Sequence, residues 1–247
     1  MAGVRNYRYR NAMGVFLDTY NTIVDDLLSP SMEALGFIRR KNERRGYYWI
    51  RLDGDRSQVL IATAQKVRAS DWGHLALYVH AGFKTLATEM MNIPADFYLG
   101  TISKKWYSLI GGDLSRLTDK PGEHIHVSEL TKFDSVAAHL NQIVEAVAQP
   151  FWNHFSHEDV LLTEWSRFPD DPGRHPLAFG TDYMRAAFVH WIRGRHHEAE
   201  ELLIAHSNWY AQKIDAGPSS WKERRFREDI IRREEFLEFL RAYRYAG

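Results

Sequence analysis

Residues 35–65 read LGFIRRKNERRGYYWIRLDGDRSQVLIATAQ, and this stretch decides the fold. Gly36 is placed to end a preceding helix in the left-handed conformation. Two runs rich in aromatic and β-branched residues follow, Tyr47–Leu52 and Gln58–Gln65, with Asp53-Gly54-Asp55 between them. Because a turn of this composition between two such runs is typical of a hairpin, the stretch predicts a helix end, a basic loop and a β-hairpin.

Helical and strand patterns surround the hairpin. Before it, apolar residues from Phe16 to Leu28 recur at three- and four-residue spacing, which predicts an amphipathic helix that Ser29-Pro30 either kinks or follows with a new turn. After it, His74–Phe83 alternates as a third strand and Glu123–Ser128 is a plausible fourth. A helix capped by Asp134 is expected to stop before Pro150. Strands in sequence flanked by helices predict an α+β fold with an antiparallel sheet of about four or more strands.

The sequence changes character after residue 168. A stretch rich in proline and glycine, Arg167–Gly180, leads into a helical hairpin and then a long charged helix. We therefore expect an α+β domain over residues 1–168 and a helical segment over residues 169–247, packed on that domain.

The last helix has two sequence features of its own. Ser220-Trp221-Lys222-Glu223 matches a capping box at its start. Acidic residues precede basic ones by four positions, as in Asp229 and Arg233, and such pairs stabilise a helix on its solvated face. We expect these charges to face water.

Composition excludes several classes of protein. The 247 residues contain 32 Lys plus Arg, 32 Asp plus Glu and no cysteine, so disulfides and thiolate chemistry are ruled out and no strong global attraction to nucleic acid is expected. The apolar run Ala12–Leu17 is shorter than a signal-peptide core, and no run approaches the roughly 20 apolar residues that span a bilayer. We predict a cytoplasmic protein that does not associate with a membrane.

Familiar catalytic motifs are missing. No glycine-rich loop leads into a helix with a lysine, and Gly111-Gly112-Asp113, the nearest approach, is predicted to be a turn. No serine elbow and no pair of histidines enclosing a glutamate is present. We name no catalytic residue and expect no cofactor and no metal.

Twelve histidines keep one enzymatic alternative open. His124 and His126 would lie on the same side of a strand, and His154 and His157 could share one face of a helix. Either pair would need a third ligand from elsewhere to hold a metal ion.

The remaining candidate site is the basic loop, whose arginines lie beside aromatic residues. Guanidinium groups suit phosphate and carboxylate groups, and flat aromatic side chains can stack on bases. A plain solvated surface, an acidic protein partner, and nucleic acid or another anion all remain open, with nucleic acid less favoured than a protein. The candidate binding residues are Arg39, Arg40, Lys41, Arg44 and Arg45.

Scattered residues of this region also match a known family. They are Leu35-Gly36-Phe37, Arg39, Arg40, Trp49, Arg51, Gly54-Asp55, Gln58-Val59, Gln65-Lys66 and Gly82, with Lys105-Trp106-Tyr107 in place of a later tryptophan-rich segment. Over roughly Leu17 to Trp165 the chain resembles the bacterial domain-of-unknown-function family forty-three-oh-four. That family has no established activity, and its members occur in genomes where immunity and accessory proteins are common. The resemblance therefore implies a bacterial protein with a binding role.

Taken together, these features predict a non-catalytic interaction protein of the immunity or accessory type, whose partner is another protein. The alternatives are an anion or nucleic-acid binder that uses the basic loop, and a metal-dependent enzyme with a histidine site.

Overall fold

A computed structural model describes residues 14–42, 46–67, 72–97, 106–178 and 182–243 of the chain. It has an antiparallel sheet flanked by helices, followed by further helices, so the predicted α+β class is confirmed. The chain divides into two compact units, one within residues 1–84 and 105–156 and the other within 85–104 and 157–247. The predicted domain boundary between residues 168 and 169 stays a prediction, because compactness alone does not test independent folding.

The first unit contains a six-stranded sheet in which all neighbours are antiparallel. The strands are β1 (Ile38–Asn42), β2 (Gly46–Asp53), β3 (Arg56–Lys66), β4 (Gly73–Phe83), β5 (Ile110–Asp113) and β6 (Ile125–Val127). They pair in the order β1-β2-β3-β4-β5, and β6 pairs with the N-terminal end of β4. The predicted third and fourth strands correspond to β4 and β6.

The predicted hairpin joins β2 and β3. Asp53 lies opposite Arg56, so the turn itself consists of Gly54 and Asp55. Gly54 has a φ of +60°, and Asp55 has a negative φ. A positive φ at the first central residue is typical of a type II′ turn, which matches the twist of the flanking strands.

Two interrupted helices cover one face of this sheet. The first comprises α1 (residues 14–22), a π-helical segment (Ile23–Leu28) and α2 (Ser29–Ala34). The second comprises α4 (Phe133–Ile143), a π-helical segment (Val144–Ala148) and α5 (Gln149–His154). The Tyr20 hydroxyl donates a hydrogen bond to the Ala62 carbonyl of β3 at 3.0 Å, which ties the first helix to the sheet.

Both interrupted helices bury a residue at every fourth position. An α-helix with 3.6 residues per turn would carry such a series progressively around its axis. The π-helical segments are wider turns, so they return the series to the sheet. The buried residues are Phe16, Tyr20, Val24, Leu28 and Met32 in the first helix, and Val136, Leu140, Val144, Ala148 and Trp152 in the second.

Asp134 lies in the first turn of α4, whose N-cap is Lys132, and the helix does not stop before Pro150, so both parts of that prediction are wrong. Pro150 lies at the second position of α5, and Pro30 holds the same position in α2. In each case the residue before the proline donates its N–H five positions back, from Ser29 to Val24 and from Gln149 to Val144. A wider turn just before the proline relieves the clash of its ring with the preceding turn. Ser29 is itself helical and makes no cap, so the chain is kinked there rather than restarted.

A short segment, residues 106–109, crosses the other face of the sheet. Leu109 donates its N–H to the Ala81 carbonyl at 3.0 Å, and Ser57 hydrogen-bonds the Trp106 carbonyl. Gly82 allows this approach, since a Cβ atom there would lie 2.0 Å from the Tyr107 carbonyl oxygen.

Within the residues that the structure describes, the second unit consists of helices and turns and contains no strand. The Gly194 turn, with a φ of +72°, joins α7 (Asp182–Ile192) and α8 (His196–Asp215) into the predicted helical hairpin. The helices assigned wholly to this unit are α6 (Glu158–Ser166), α7, α8 and α9 (Ser220–Ala242), and α3 (Lys84–Met90) leads into it.

Most charged residues of α9 face water as predicted, and Glu223 and Arg227 form one of the expected pairs four positions apart. The predicted capping box and the predicted exposure of Arg233 are wrong. The N-cap of α9 is Ser219, whose side chain makes no capping hydrogen bond, so the predicted capping box does not form. Arg233 is 1% exposed and contacts the interior of the unit rather than water. Burial of this guanidinium follows from its place among tyrosines on neighbouring helices, which local charge spacing does not reveal. Among the helices that the structure describes, none combines the length and the apolar character that crossing a bilayer requires.

Candidate functional site

The predicted basic loop is wrong for Ile38–Asn42, which form strand β1 paired with β2. On this strand Arg39 makes contacts that stabilise the fold. Its guanidinium forms an ion pair with Asp25 of the first interrupted helix and lies 4.2 Å from the centre of the Tyr47 ring. Both contacts hold the side chain against the helix-covered face of the sheet. One of the five predicted binding residues therefore has its charge balanced within the chain.

Arg40 has a different environment. It is exposed and lies opposite Tyr48 in the β1–β2 register, whereas Arg39 lies opposite Trp49. Because successive strand residues point to opposite faces, the two arginines are not brought together. The side chain of Lys41, and Arg44 and Arg45 entirely, lie outside the described residues.

The aromatic residues beside the basic loop are packed into the protein. Trp49 is 0% exposed. The Tyr48 ring stacks on Trp106 at 5.2 Å, and Tyr47 stacks on Tyr20 at 6.3 Å. Their faces are therefore occupied, and this observation counts against a base-stacking platform.

An apolar strip accompanies Arg40 on the same face. Ile38 and Leu52 are 55% and 54% exposed, and half-buried Ile50 lies opposite Ile38. We call Ile38, Arg40, Ile50 and Leu52 the β1–β2 edge surface. Sequence reasoning missed it because aliphatic residues in a predicted strand normally indicate core. Only the structure shows which part of this face residues 106–109 cover and which part stays exposed.

Histidines gather at the opposite end of the sheet. His74 lies directly opposite His126, and its ring centre is 6.0 Å from that of His126 and 6.3 Å from that of His124. Burial, and then the two neighbouring histidines, lower the pKa of His74 below its usual value. Trp72 stacks on His126 at 5.1 Å. The prediction that His124 and His126 lie on one side is consistent with their shared neighbour.

This histidine cluster does not form a metal centre in the part of the chain that the structure describes. No group of three or more His, Cys, Asp or Glu side chains there is arranged to hold a metal ion. The second predicted pair is separated by a helix boundary, since His154 ends α5 and His157 precedes α6.

Comparisons with known protein families, with curated proteins and with solved structures found no match for this chain. The resemblance to the domain-of-unknown-function family therefore stays a prediction, and the site is interpreted from its own geometry.

Proposed function

We propose that the protein is a non-catalytic, cytoplasmic bacterial protein of the immunity or accessory type that binds an acidic protein partner through the β1–β2 edge surface. The observation that carries this proposal is the exposure of Ile38 and Leu52, each more than half open to solvent on one face of a regular sheet. Exposed apolar side chains rimmed by polar ones are typical of protein interfaces.

The position of β1 supports the same function. It stands at the end of the strand order, and within the described residues its sheet partner is β2 alone. A partner segment that lies along this edge would contact Ile38 and Arg40 together. The partner would then gain an apolar contact with Ile38 and an electrostatic contact with Arg40 at the same position.

Charge selects the kind of partner. Residues 39–45 contain five cationic residues and one anionic residue, Glu43, which gives a formal charge of 5 − 1 = +4 in a chain whose net charge is zero. The ion pair with Asp25 balances Arg39, and Arg40 remains exposed. A positive patch attracts and orients a negatively charged partner surface.

The test begins with affinity purification of the tagged protein from its source organism, in parallel with the double variant Ile38→Asp/Leu52→Asp. A protein captured by the wild type and lost by the double variant is then purified and its affinity for both forms is measured. We expect that protein to be acidic and its affinity to fall at least tenfold in the double variant. The control is Ile231→Asp, which alters an isoleucine of matched exposure, 54%, in α9.

Retention of every captured protein by the double variant would contradict the proposal. A direct titration with labelled single- and double-stranded nucleic acid tests the alternative function. If affinity for nucleic acid falls steeply with salt and is lost in Arg44→Ala/Arg45→Ala, the basic loop is an anion site and the acidic-protein proposal is replaced.

A further inference from the structure

A second site lies between β4, the loop before β6, and the second interrupted helix. A cavity of about 500 Å³ opens there, within the range of small-molecule sites. Its base is apolar and is formed by Leu75, Leu77, Ile125, Ile143 and Val147. None of its lining residues belongs to the β1–β2 edge surface, so the two sites are independent.

The charged groups at its rim are mainly acidic. Asp113, Asp119 and Glu123 line the cavity together with a single lysine, Lys120. The Lys120 ammonium is 3.3 Å from a Glu123 carboxylate oxygen, and its side chain is 76% exposed. The lysine is therefore paired and directed to water, and the rim favours a positively charged ligand.

Asp113 is the best-placed carboxylate. It ends β5 and precedes the 3₁₀ turn Leu114–Leu117, where its Oδ1 accepts a hydrogen bond from the Ser115 N–H at 3.0 Å. Its Oδ2 is 3.6 Å from His124 Nε2, beyond a good hydrogen bond, and the side chain is 25% exposed. The capping bond fixes Oδ1, and Oδ2, which has only this long contact with His124, is the oxygen that a ligand would approach.

The predicted turn at Gly111-Gly112-Asp113 is in fact strand β5, and this placement brings Asp113 to the cavity. A Cβ atom at Gly111 would lie 2.3 Å from the Val79 carbonyl oxygen. The glycine thus permits the close pairing of β5 with β4 that positions the carboxylate.

We propose that this cavity binds an amphiphilic organic cation, an ammonium group carried on an alkyl or aryl body. The body would lie on the leucine and isoleucine base, where its burial is favourable. The ammonium would lie beside Asp113, where a charge-assisted hydrogen bond is stronger than a neutral one. Because Glu123 is paired with Lys120, an anionic ligand would be repelled mainly by Asp113 and Asp119. A neutral ligand could not form a charge-assisted hydrogen bond with Asp113.

The test uses three probes that share one aromatic body: phenethylammonium, phenethyl alcohol and 3-phenylpropanoate. Their dissociation constants are measured with the full chain by ligand-detected NMR. Wild-type protein should bind the ammonium probe about tenfold more tightly than the alcohol, as expected for one charged hydrogen bond, and the carboxylate probe most weakly.

Two variants with matched controls show whether the probes bind in this cavity and whether Asp113 recognises the ammonium group. Asp113→Asn keeps an oxygen for the Ser115 cap and should remove the preference for the cation, whereas Asp159→Asn at an exposed position in α6 should not. Ala146→Leu adds bulk to the cavity wall and should weaken both the ammonium and the alcohol probe, unlike Ala138→Leu on the exposed side of α4.

Equal binding of the three probes, absence of binding by all of them, or a cation preference that survives in Asp113→Asn would each overturn the proposal. Loss of the preference in Asp113→Asn together with weaker binding in Ala146→Leu would establish it. Folding of each variant is checked by circular dichroism before titration.

Discussion

Arg233 donates a hydrogen bond from Nε to the hydroxyl oxygen of Tyr183, 2.6 Å away, inside the helical unit. Its guanidinium carbon also lies 4.1 Å from the centre of the Tyr210 ring. Burial raises the pKa of Tyr183, so the hydroxyl stays protonated and neutral beside the cation. A second hydroxyl, that of Ser207, accepts a longer hydrogen bond from the guanidinium at 3.4 Å. The buried charge is thus held by two hydroxyls and two aromatic rings, and removal of a partner costs stability.

Tyr183→Phe removes the accepting oxygen and leaves the Arg233 Nε–H without it. We expect the free energy of unfolding to fall by about 1–3 kcal/mol, the cost of leaving a buried charged donor unsatisfied. Urea denaturation measures this change. Tyr210→Phe is the matched control, because it keeps the ring beneath Arg233, and it should cost much less. Equal losses in the two variants would show that the hydrogen bond contributes nothing of its own.

Gly82→Ala should be strongly destabilising. The added methyl group would lie 2.0 Å from the Tyr107 carbonyl oxygen, so residues 106–109 must move away from the sheet. We expect a loss of about 2–3 kcal/mol, as for an overpacked core position, and a shift in tryptophan fluorescence from Trp106. Gly14→Ala, where nothing lies within 4 Å of the new atom, should be neutral or stabilising. Wild-type stability in Gly82→Ala would contradict the close approach.

Stability should fall in mildly acidic solution. Burial lowers the pKa of His206, and likewise that of His80, from 6.5 to about 4. The unfolded chain therefore binds protons between about pH 6.5 and 4 that the folded chain does not. The stabilisation from each neutral histidine is fully present above pH 6.5 and is lost as the pH falls to 4, by up to about 3 kcal/mol for fully buried His206.

His206→Phe separates this effect from packing. The phenyl ring can keep the stack on Tyr183, whose ring centre is 4.0 Å from that of His206. The variant loses the hydrogen bond with the Ser166 carbonyl, so stability at pH 7.5 should fall by about 1 kcal/mol. Denaturation midpoints measured from pH 7.5 to 4 should then vary less steeply than in wild type. His197→Gln, at a side chain that is 80% exposed, should leave the slope unchanged.

Arg39 and Arg40 should differ in what they contribute. Arg39→Ala loses the ion pair with Asp25 and the contact with Tyr47, and about 1 kcal/mol of stability with them. Arg40→Ala should leave the denaturation curve unchanged and weaken binding of the captured acidic partner severalfold. A stable Arg39→Ala variant, or an Arg40→Ala variant that binds normally, would show that the two roles are assigned wrongly.

Local signals in the sequence were sufficient for the β2–β3 hairpin and for β4, but not for β1 and β5, which were predicted as a loop and a turn. The turn at Asp53-Gly54-Asp55 requires a positive φ, which Gly54 adopts. The alternation of residue types in His74–Phe83 matches strand β4. These patterns depend only on neighbours within a few residues, so they can be interpreted correctly before the tertiary structure is known.

The roles of the residues in the two candidate sites could not be predicted from local sequence, because they depend on contacts between distant parts of the chain. Asp113 reaches the cavity because β5 pairs with β4, and no local pattern specifies that pairing. Exposure of Ile38 follows from the position of β1 at the end of the sheet. Arg233 was expected to face water, because charge spacing along α9 describes a helix in isolation and not the tyrosines beside it. Residue type indicated which side chains could bind a ligand or partner, and tertiary packing determined which of them are exposed or buried.

The two π-helical segments mark the places where each interrupted helix can change its length by one residue. Each wide turn behaves as a single-residue insertion in an α-helix. Deletion of one residue within Ile23–Leu28 or Val144–Ala148 would restore an ordinary α-helix and leave Met32 or Trp152 facing the core, because the extra residue and its wide turn disappear together. The same deletion elsewhere in either helix would rotate everything beyond it by about 100° around the axis. Chain length should therefore vary more readily within these two segments than in the rest of the two helices.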